Sequence, residues 1–431
     1  MRDIERLTGR GIRGGAAAVV LLWAVQVHPS ARPDALFATA AHLTGLLAGY
    51  GVLVLLFLMA RVPAVEHGVG ADRLARLHAV TGRYALLLVL AHALFALLGY
   101  AVHEGLDLIG AVHGLLGYPA LAAATAAGAL LAAVGLSSAR AVRRRLSHEL
   151  WRRVHLTVYP AAALGFVHQL AGPDLAALGW FWALAHAIVA VLLVRYRVLL
   201  PLRQALRHPL RVAAVRDEGP GVVSVLIRGE ALGELRALPG QFFRWRFLHP
   251  GLWHTALPFS LSAPPADDTL RITVKALGRH SRRVRRLRPG TRVIATGPFG
   301  ALTAARRTRP KVLLIAGGVG ITPLRALFET LPGGPGDLTL LYRAGTEEHL
   351  VLRAELEAIA AARQAGLHYL LGPSDGPYDP LAPAALRGLL PDLAEHDVYL
   401  CGPPGMTAAA VTALLRAGVP ADRVHSECFA F

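Results

Sequence analysis

Six stretches in the first half of the chain, 14–31, 35–60, 84–103, 108–139, 154–173 and 175–194, contain no Asp, Glu, Lys or Arg. Each is at least 18 residues long, and about 20 apolar residues wound as helix cross the hydrocarbon core of a bilayer. One such stretch reads equally well as a buried core helix. Six in succession, joined by short polar connections, predict a polytopic membrane bundle. The first follows Arg2, Arg6, Arg10 and Arg13, as in a secretory signal, but Val27-His28-Pro29-Ser30-Ala31 is a poor cleavage site and five more spans follow.

Past residue 205 the pattern changes. Short β-rich runs (Val222–Ile227, Leu270–Lys275, Arg292–Ala295) alternate with Gly/Pro turns. From Lys311 onward strands alternate with helical stretches at Leu324–Leu331, Leu350–Ala365 and Met406–Ala417. The expected organisation is a six-helix transmembrane domain over 1–205, a small antiparallel β-barrel over 206–305 and an α/β nucleotide-binding lobe over 306–431.

Composition supports this division. The chain is 54% hydrophobic and 17% charged, against about 45–50% and about 25% for a soluble globular protein. Its two cysteines, Cys401 and Cys428, exclude a disulfide scaffold and a four-cysteine zinc site. The net charge of +17 raises a nucleic-acid reading that charge placement removes. Residues 1–205 hold 18 Arg and no Lys, and with a cytoplasmic N-terminus all but Arg32 fall on the inner side. That is the positive-inside bias of a multi-pass protein of the cytoplasmic membrane, with both termini cytoplasmic. The expected partner of this half is lipid, not nucleic acid.

Four histidines stand out within the apolar stretches or just ahead of them. His78 and His92 lie fourteen apart on the third span, and His155 and His168 thirteen apart on the fifth. The two spans run in the same direction, so the histidines form two facing pairs separated by roughly 20 Å of helix rise. Interhelical hydrogen bonding is one use for such residues. The matched spacing favours another, axial ligation of two stacked haem irons by neutral imidazole. At about 100° per residue fourteen steps return to one face and thirteen do not. Pro160, between His155 and His168, is expected to bend the fifth helix and restore the alignment. His42 and His186, single residues on other spans, read as interhelical hydrogen bonders.

The C-terminal part carries phosphate-binding chemistry. A buried strand, Lys311–Ala316, runs into Gly317-Gly318-Val319-Gly320-Ile321-Thr322-Pro323, where glycines let backbone approach a pyrophosphate, Thr322 suits a helix cap and Pro323 the first turn. Cys401-Gly402-Pro403-Pro404-Gly405-Met406 follows the last strand, where a parallel sheet places its ligands. Upstream, Pro258-Phe259-Ser260 offers an aromatic and a hydroxyl to a flavin ring. An arginine-rich run, Arg279–Arg288, reads as a solvated face or as a contact for phosphate or lipid headgroups.

Together these features resemble the NADPH oxidase / ferric reductase superfamily, a ferric-reductase-like transmembrane domain fused to a ferredoxin-reductase-type dehydrogenase. The resemblance implies FAD on the barrel, with Phe259 and Ser260 at the isoalloxazine and Lys275, Gly278 and Ser281 near the flavin phosphates. It implies two b-type haems held by His78, His92, His155 and His168. NADPH or NADH would bind Gly317, Gly318, Gly320, Thr322 and Pro323 together with Gly402, Pro403, Gly405 and Met406. Cys401 and Phe431 are the candidate catalytic residues, Phe431 covering the flavin until nicotinamide displaces it. Arg343, where NAD-specific lobes often carry an acid, leans toward NADPH. One departure stands out: Leu257 occupies a position where the family usually has Arg or His, so that His254 or Lys275 would have to supply the phosphate contact. The implied reaction takes electrons from cytoplasmic NAD(P)H through FAD and haem to an acceptor on the outer face. Oxygen, giving superoxide, is the first expectation, and a ferric chelate or a periplasmic protein are the alternatives. No obligate protein partner is expected.

Overall fold

The computed structural model describes residues 2–27, 30–172, 179–372 and 379–428. The chain divides into two compact units, Met1–Val69 with Arg73–Val198, and Gly70–Asp72 with Leu199–Phe431.

The first unit is helical: α1 (Arg2–Gln26), α2 (Pro33–Leu58), α3 (Pro63–Val69), α4 (Ala71–Glu104), α5 (Leu108–Leu116), α6 (Pro119–Ser138), α7 (Arg140–Arg143), α8 (His148–Leu156), α9 (Val158–Ala171) and α10 (Gly179–Val194). Proline placement punctuates it. Pro33 begins α2 beside Asp34 in the first turn, and Pro119 begins α6 after the chain breaks at Gly117-Tyr118. The fourth apolar stretch is therefore two helices. At 34 residues, α4 is about 51 Å long, well beyond the roughly 30 Å of a hydrocarbon core.

Among the described residues, four helices are long and apolar enough to cross a membrane: Pro33–Leu58, Arg73–Glu104, Ala120–Ser138 and Gly179–Arg207. The two remaining stretches differ for stated reasons. The first half of α1 is charged, and the fifth span is interrupted at Thr157, between α8 and α9. Pro160 has no N–H for the Leu156 carbonyl, and its ring crowds that residue, so the helix opens one turn upstream of the proline. Thr157 Oγ1 donates to the Val154 carbonyl at 2.7 Å across the break.

Small residues let these helices approach. A Cβ on Gly45 would stand 2.7 Å from His92 Nδ1, and one on Gly49 2.8 Å from Gln169 Oε1. On α2 this Gly-x-x-x-Gly spacing lays one face of the helix against both α4 and α9. Gln169 in turn accepts from Trp182 Nε1 at 2.5 Å, joining α9 to α10.

The second unit opens with α11 (Leu200–Arg207), a helix that the expected boundary at 205 would have cut. Six antiparallel strands follow: β1 (Leu210–Gly219), β2 (Val222–Arg228), β3 (Phe242–Phe247), β4 (Leu257–Ser260), β5 (Thr269–Lys275) and β6 (Arg292–Phe299), with α12 (Arg279–Val284) after β5. Their order is β4-β3-β6-β1-β2-β5, and a bridge from Leu261 to Ile272 links the two outer strands. Alternation fills the interior: Phe243, Trp245 and Phe247 of β3 are fully buried, while the residues between them are not.

A five-stranded parallel sheet follows, β7 (Val312–Gly317), β8 (Leu338–Ala344), β9 (Gly366–Leu371), β10 (Asp397–Gly402) and β11 (Val424–Cys428), with α13 (Ile321–Thr330), α14 (Arg353–Arg363), α15 (Pro383–Leu389) and α16 (Pro404–Arg416). Its order is β11-β10-β7-β8-β9. Successive connections run outward from β7 in one direction and from β10 in the other, which leaves a crevice between their carboxyl ends.

A carboxylate ties the two sheets together. Glu355 of α14 receives Arg271 of β5 at 2.6 and 2.8 Å and lies 2.8 Å from Arg325 Nε of α13. Burial alone would raise the Glu355 pKa, but the hydrogen bond and charge of Arg271, with Arg325, outweigh it and hold the carboxyl below its usual range. A depressed pKa adds stability above the unfolded carboxylate pKa and loses it as the pH falls through the folded value. Glu355→Gln should therefore cost about 2 kcal/mol near neutral pH, since charged hydrogen bonds of this kind contribute roughly 1.5–3 kcal/mol. The gap between variant and parent should close in acid. Thermal unfolding read by flavin fluorescence at pH 7.5 and 4 measures it, and an undiminished gap at pH 4 would refute the clamp.

Candidate functional site

The helical unit brings the four histidines together in the pairs that the sequence suggested. The rings of His78 and His155 are 6.1 Å apart centre to centre, and those of His92 and His168 are 6.2 Å apart. Without the opening at Thr157, thirteen residues of regular helix would have turned one histidine of α8 and α9 away from α4. His92 Nδ1 donates to the Ala41 carbonyl at 2.8 Å, an approach made possible by Gly45. That bond assigns the proton to Nδ1 and leaves Nε2 with its lone pair. Nδ1 of His155 is buried with no hydrogen-bond partner among the described residues, while backbone at Leu55 lies against His78 and backbone at Ala120 against His168 without a well-aligned bond to Nδ1. His155 also stacks on Trp151, 4.8 Å away. His186 is different: it bonds within its own helix to the Trp182 carbonyl at 2.9 Å and packs against Phe166, so it is not the interhelical bonder expected.

In the second unit, Pro258, Phe259, Ser260 and Lys275 line one cleft with Val319 and Thr322. The strand register places Phe259 opposite Phe243, and Trp245 Nε1 donates to the Phe259 carbonyl at 2.9 Å. Ser260 is 2% exposed and its Oγ has no hydrogen-bond partner among the described residues, which leaves the hydroxyl free to bond whatever enters the cleft. Leu257 lies opposite Trp245 and packs on the interior of the sheet. Among the cleft residues the cation is Lys275, which also lines an adjoining depression with Gly318, Val319, Glu348 and His349. Gly278 and Ser281 form a reciprocal turn, Gly278 N donating to Ser281 Oγ at 2.8 Å and Oγ donating back to the Gly278 carbonyl at 3.1 Å.

The glycines of the parallel sheet divide their work. A Cβ on Gly317 would meet Met406 Sδ at 2.4 Å, and one on Gly320 the Cys401 carbonyl at 2.1 Å. These two hold the loops after β7 and β10 together. Gly318, at φ +51° with nothing within 4 Å, and Gly405, likewise open, face free space. Only these offer the close backbone approach expected of the whole motif. Thr322 is a second correction: it is not a cap, for Gly320 occupies that place and Thr322 Oγ1 donates to the Val319 carbonyl at 3.0 Å from inside the first turn of α13, next to Pro323.

Residues 44–166 match the family described as ferric reductase like transmembrane component, and residues 314–412 match the oxidoreductase NAD-binding domain. The chain is 32% identical over 207 residues to the ferredoxin reductase component of 3-ketosteroid-9-alpha-monooxygenase from Mycolicibacterium smegmatis, which covers 46% of this chain and 57% of that protein. It is 30% identical over 244 residues to a flavohemoprotein of Deinococcus radiodurans, covering 52% and 59%. Among solved structures, the ferredoxin reductase in carbazole 1,9a-dioxygenase aligns with 26% identity and a TM-score of 0.43, over 52% of this chain and 69% of that one. The chain thus spans rather more than half the length of these curated relatives.

The chain joins a ferric-reductase-like transmembrane domain to a ferredoxin-reductase-type FAD/NAD-binding domain, as in the NADPH oxidase / ferric reductase superfamily. Its second unit is similar to flavin- and nicotinamide-dependent reductase components and flavohemoproteins.

Within the dehydrogenase, the remaining expected residues take these places. Cys401 is fully buried at the end of β10, in register with Ala316 and Glu427, and its carbonyl borders the glycine loop. Arg343, near the end of β8, donates to the Leu370 carbonyl at 3.1 Å. Gly402 packs on Gly317, and Pro403 precedes α16 as its cap residue. Phe431 lies outside the described residues. Sequence reasoning missed Gly45 and Val319. The Gly45-x-x-x-Gly49 spacing was the available signal for the first, whereas only the fold shows that Val319 borders both clefts.

The division among glycines is testable. Gly320→Ala should abolish nucleotide binding or folding, because the clash is with backbone. Gly318→Ala should cost about 1 kcal/mol from its left-handed backbone, and at both Gly318 and Gly405 alanine should weaken nucleotide binding while leaving the fold intact. NAD(P)H titrations read by flavin reduction, with circular dichroism for folding, rank the three; equal effects would refute the assignment.

Proposed function

We propose that this protein is a transmembrane electron-transfer enzyme, taking electrons from cytoplasmic NAD(P)H and delivering them to an acceptor on the outer face. The observation that carries the reading is the pair of histidine couples with ring centres 6.1 and 6.2 Å apart. That separation leaves room for one metal ion to be held between the two imidazoles of each couple. His78 with His155, and His92 with His168, would each hold one b-type haem. FAD held at this cleft would supply the conversion of a two-electron hydride into single electrons, and haem held by the histidine couples would supply one-electron redox chemistry.

The chain's own residues do the rest. Gly45 and the Ala41 carbonyl fix the tautomer of His92. The break at Thr157 aims His155 and His168 at one helix. Phe259 offers a face and Ser260 a free hydroxyl to the flavin ring, and Lys275 balances phosphate charge. In this reading α1, and α8 with α9, complete six spans, since a helix broken at a proline stays in lipid when neighbours pack around it.

Oxygen is the proposed acceptor. The single arginine of the outer connections, Arg32, is held by Asp34 at 3.0 and 3.3 Å, and Asp34 also meets His103 at 3.2 Å. This paired cluster gives an anionic ferric chelate little free positive charge, while a neutral diatomic needs none.

Purified protein should show b-type absorption bands at two haems per chain. His92→Leu and His155→Leu should each remove one of them, and NADPH should reduce the remainder in the parent. Turnover with superoxide dismutase-sensitive cytochrome c reduction supports oxygen. Fast anaerobic reduction of ferric citrate with no superoxide in air would refute it, and protein lacking haem after reconstitution would refute the whole reading.

A further inference from the structure

The arginine-rich run is not used by any of this. Six arginines stand between residues 279 and 288, and Arg279, Arg282, Arg283 and Arg286 alone line an open recess of about 340 Å³. No carboxylate lines it. Arg285 reaches Asp217 at 3.3 Å and Arg283 donates to the Gly251 carbonyl at 3.0 Å. Arg279, Arg282, Arg286 and Arg288 are exposed and form no ion pair with a described residue. Four uncompensated guanidinium groups around one hollow repel each other, and only an anion that comes to them relieves the repulsion.

The patch is rigidly mounted. Val284 and Leu287 are buried in the core of the antiparallel sheet and turn the arginines outward. The neighbouring loop is pinned to the same segment: Gly251 accepts from Arg283, and the His254 and His280 rings are 5.8 Å apart. That loop presents Trp253, 61% exposed, and Leu277 just ahead of the run is 46% exposed. An exposed indole beside clustered arginines is the composition of a surface that lies against lipid headgroups, the ring entering the interface and the cations meeting phosphate. Sequence continuity supplies the second argument. Only His208 and Pro209 separate the apolar helical run ending at Arg207 from β1, so this unit is tethered directly to a candidate membrane span. Gly278 and Ser281, the residues expected near flavin phosphate, flank Arg279 at the start of the recess and are satisfied by each other.

We propose that Arg279, Arg282, Arg283 and Arg286, with Trp253, form a docking surface for the anionic phospholipid headgroups of the bilayer that carries the chain. The inference rests on the membrane reading of the first unit. Its test places the full chain in nanodiscs of phosphatidylcholine alone or mixed with phosphatidylglycerol and follows hydrogen exchange over 249–254 and 277–288. Exchange should slow only in the anionic discs, and added salt should reverse the protection in the unmodified protein. An Arg282→Glu/Arg286→Glu double variant should lose protection on the order of fivefold per arginine, while flavin absorbance at its normal level shows that the domain is folded and loaded. Equal exchange in both lipids overturns the proposal. So does protection produced by inorganic pyrophosphate in neutral discs without any effect of phosphatidylglycerol, which would mark a soluble-phosphate site. A variant that loses flavin assigns the patch to the cofactor. A chain that needs no lipid to stay in solution removes the membrane reading itself, and with it the docking.

Discussion

Hydrocarbon offers an imidazole nitrogen nothing to bond, so a histidine inside an apolar bundle must be given a partner by its own chain or by a group that the chain binds. This protein allots such partners unevenly. His92 receives the Ala41 carbonyl and His186 the Trp182 carbonyl, while among the described residues Nδ1 of His78, His155 and His168 has no well-aligned partner, only backbone near His78 and His168. The helices are shaped around that allotment. Gly45 and Gly49 remove side-chain bulk where α2 meets His92 and Gln169. Pro160 costs α9 a backbone hydrogen bond and returns a rotation that brings His155 and His168 to one neighbour. A sequence selected only for a stable bundle has no evident use for either concession.

The dehydrogenase unit solves a different problem, that of holding two sheets at a fixed separation around a cleft which must still admit ligands. Glue is placed away from the cleft: Glu355 joins Arg271 and Arg325, and Glu427 Oε1 accepts from Ala301 N at 2.9 Å, tying the last strand to the turn after β6. At the cleft itself polar capacity is left open, as at Ser260 Oγ. Rigid edges with an unsatisfied middle suit a site that positions flavin against nicotinamide, where a misplacement of about 1 Å can cost 100-fold in rate.

The sequence made the elements legible where one physical signal dominated. Uninterrupted apolar runs marked α2, α4 and α10, and the Gly317–Pro323 turn marked the start of α13. It was ambiguous where signals compete. The stretch 108–139 is uniformly apolar and reads as one helix, yet Gly117 and Pro119 end α5 and begin α6. The strand β11 was not evident, because Val424-His-Ser-Glu-Cys428 is a polar edge strand whose place comes from its parallel register with β10. Pairing of the histidines could be inferred from spacing. The separate duties of Gly317, Gly318 and Gly320 could not, since a glycine that admits a ligand and one that admits a neighbouring loop look alike until both loops are in place.

Leu257 shows how the site adapts when one expected group is missing. The strand register sets this position against Trp245, whose side chain is fully buried and whose Nε1 is committed to the Phe259 carbonyl. A guanidinium or imidazole here would have to leave the sheet interior to reach a phosphate, and leucine instead fills it. The positive charge reappears on the far side of the cleft at Lys275, the last residue of β5, where two depressions meet. An ammonium on a flexible stem suits that position: it can follow a phosphate between neighbouring depressions, as a planar guanidinium fixed in a strand cannot. Phe259, Ser260 and Lys275 thus line one cleft, an arrangement that suits ring recognition depending on fixed geometry and phosphate recognition depending mainly on charge.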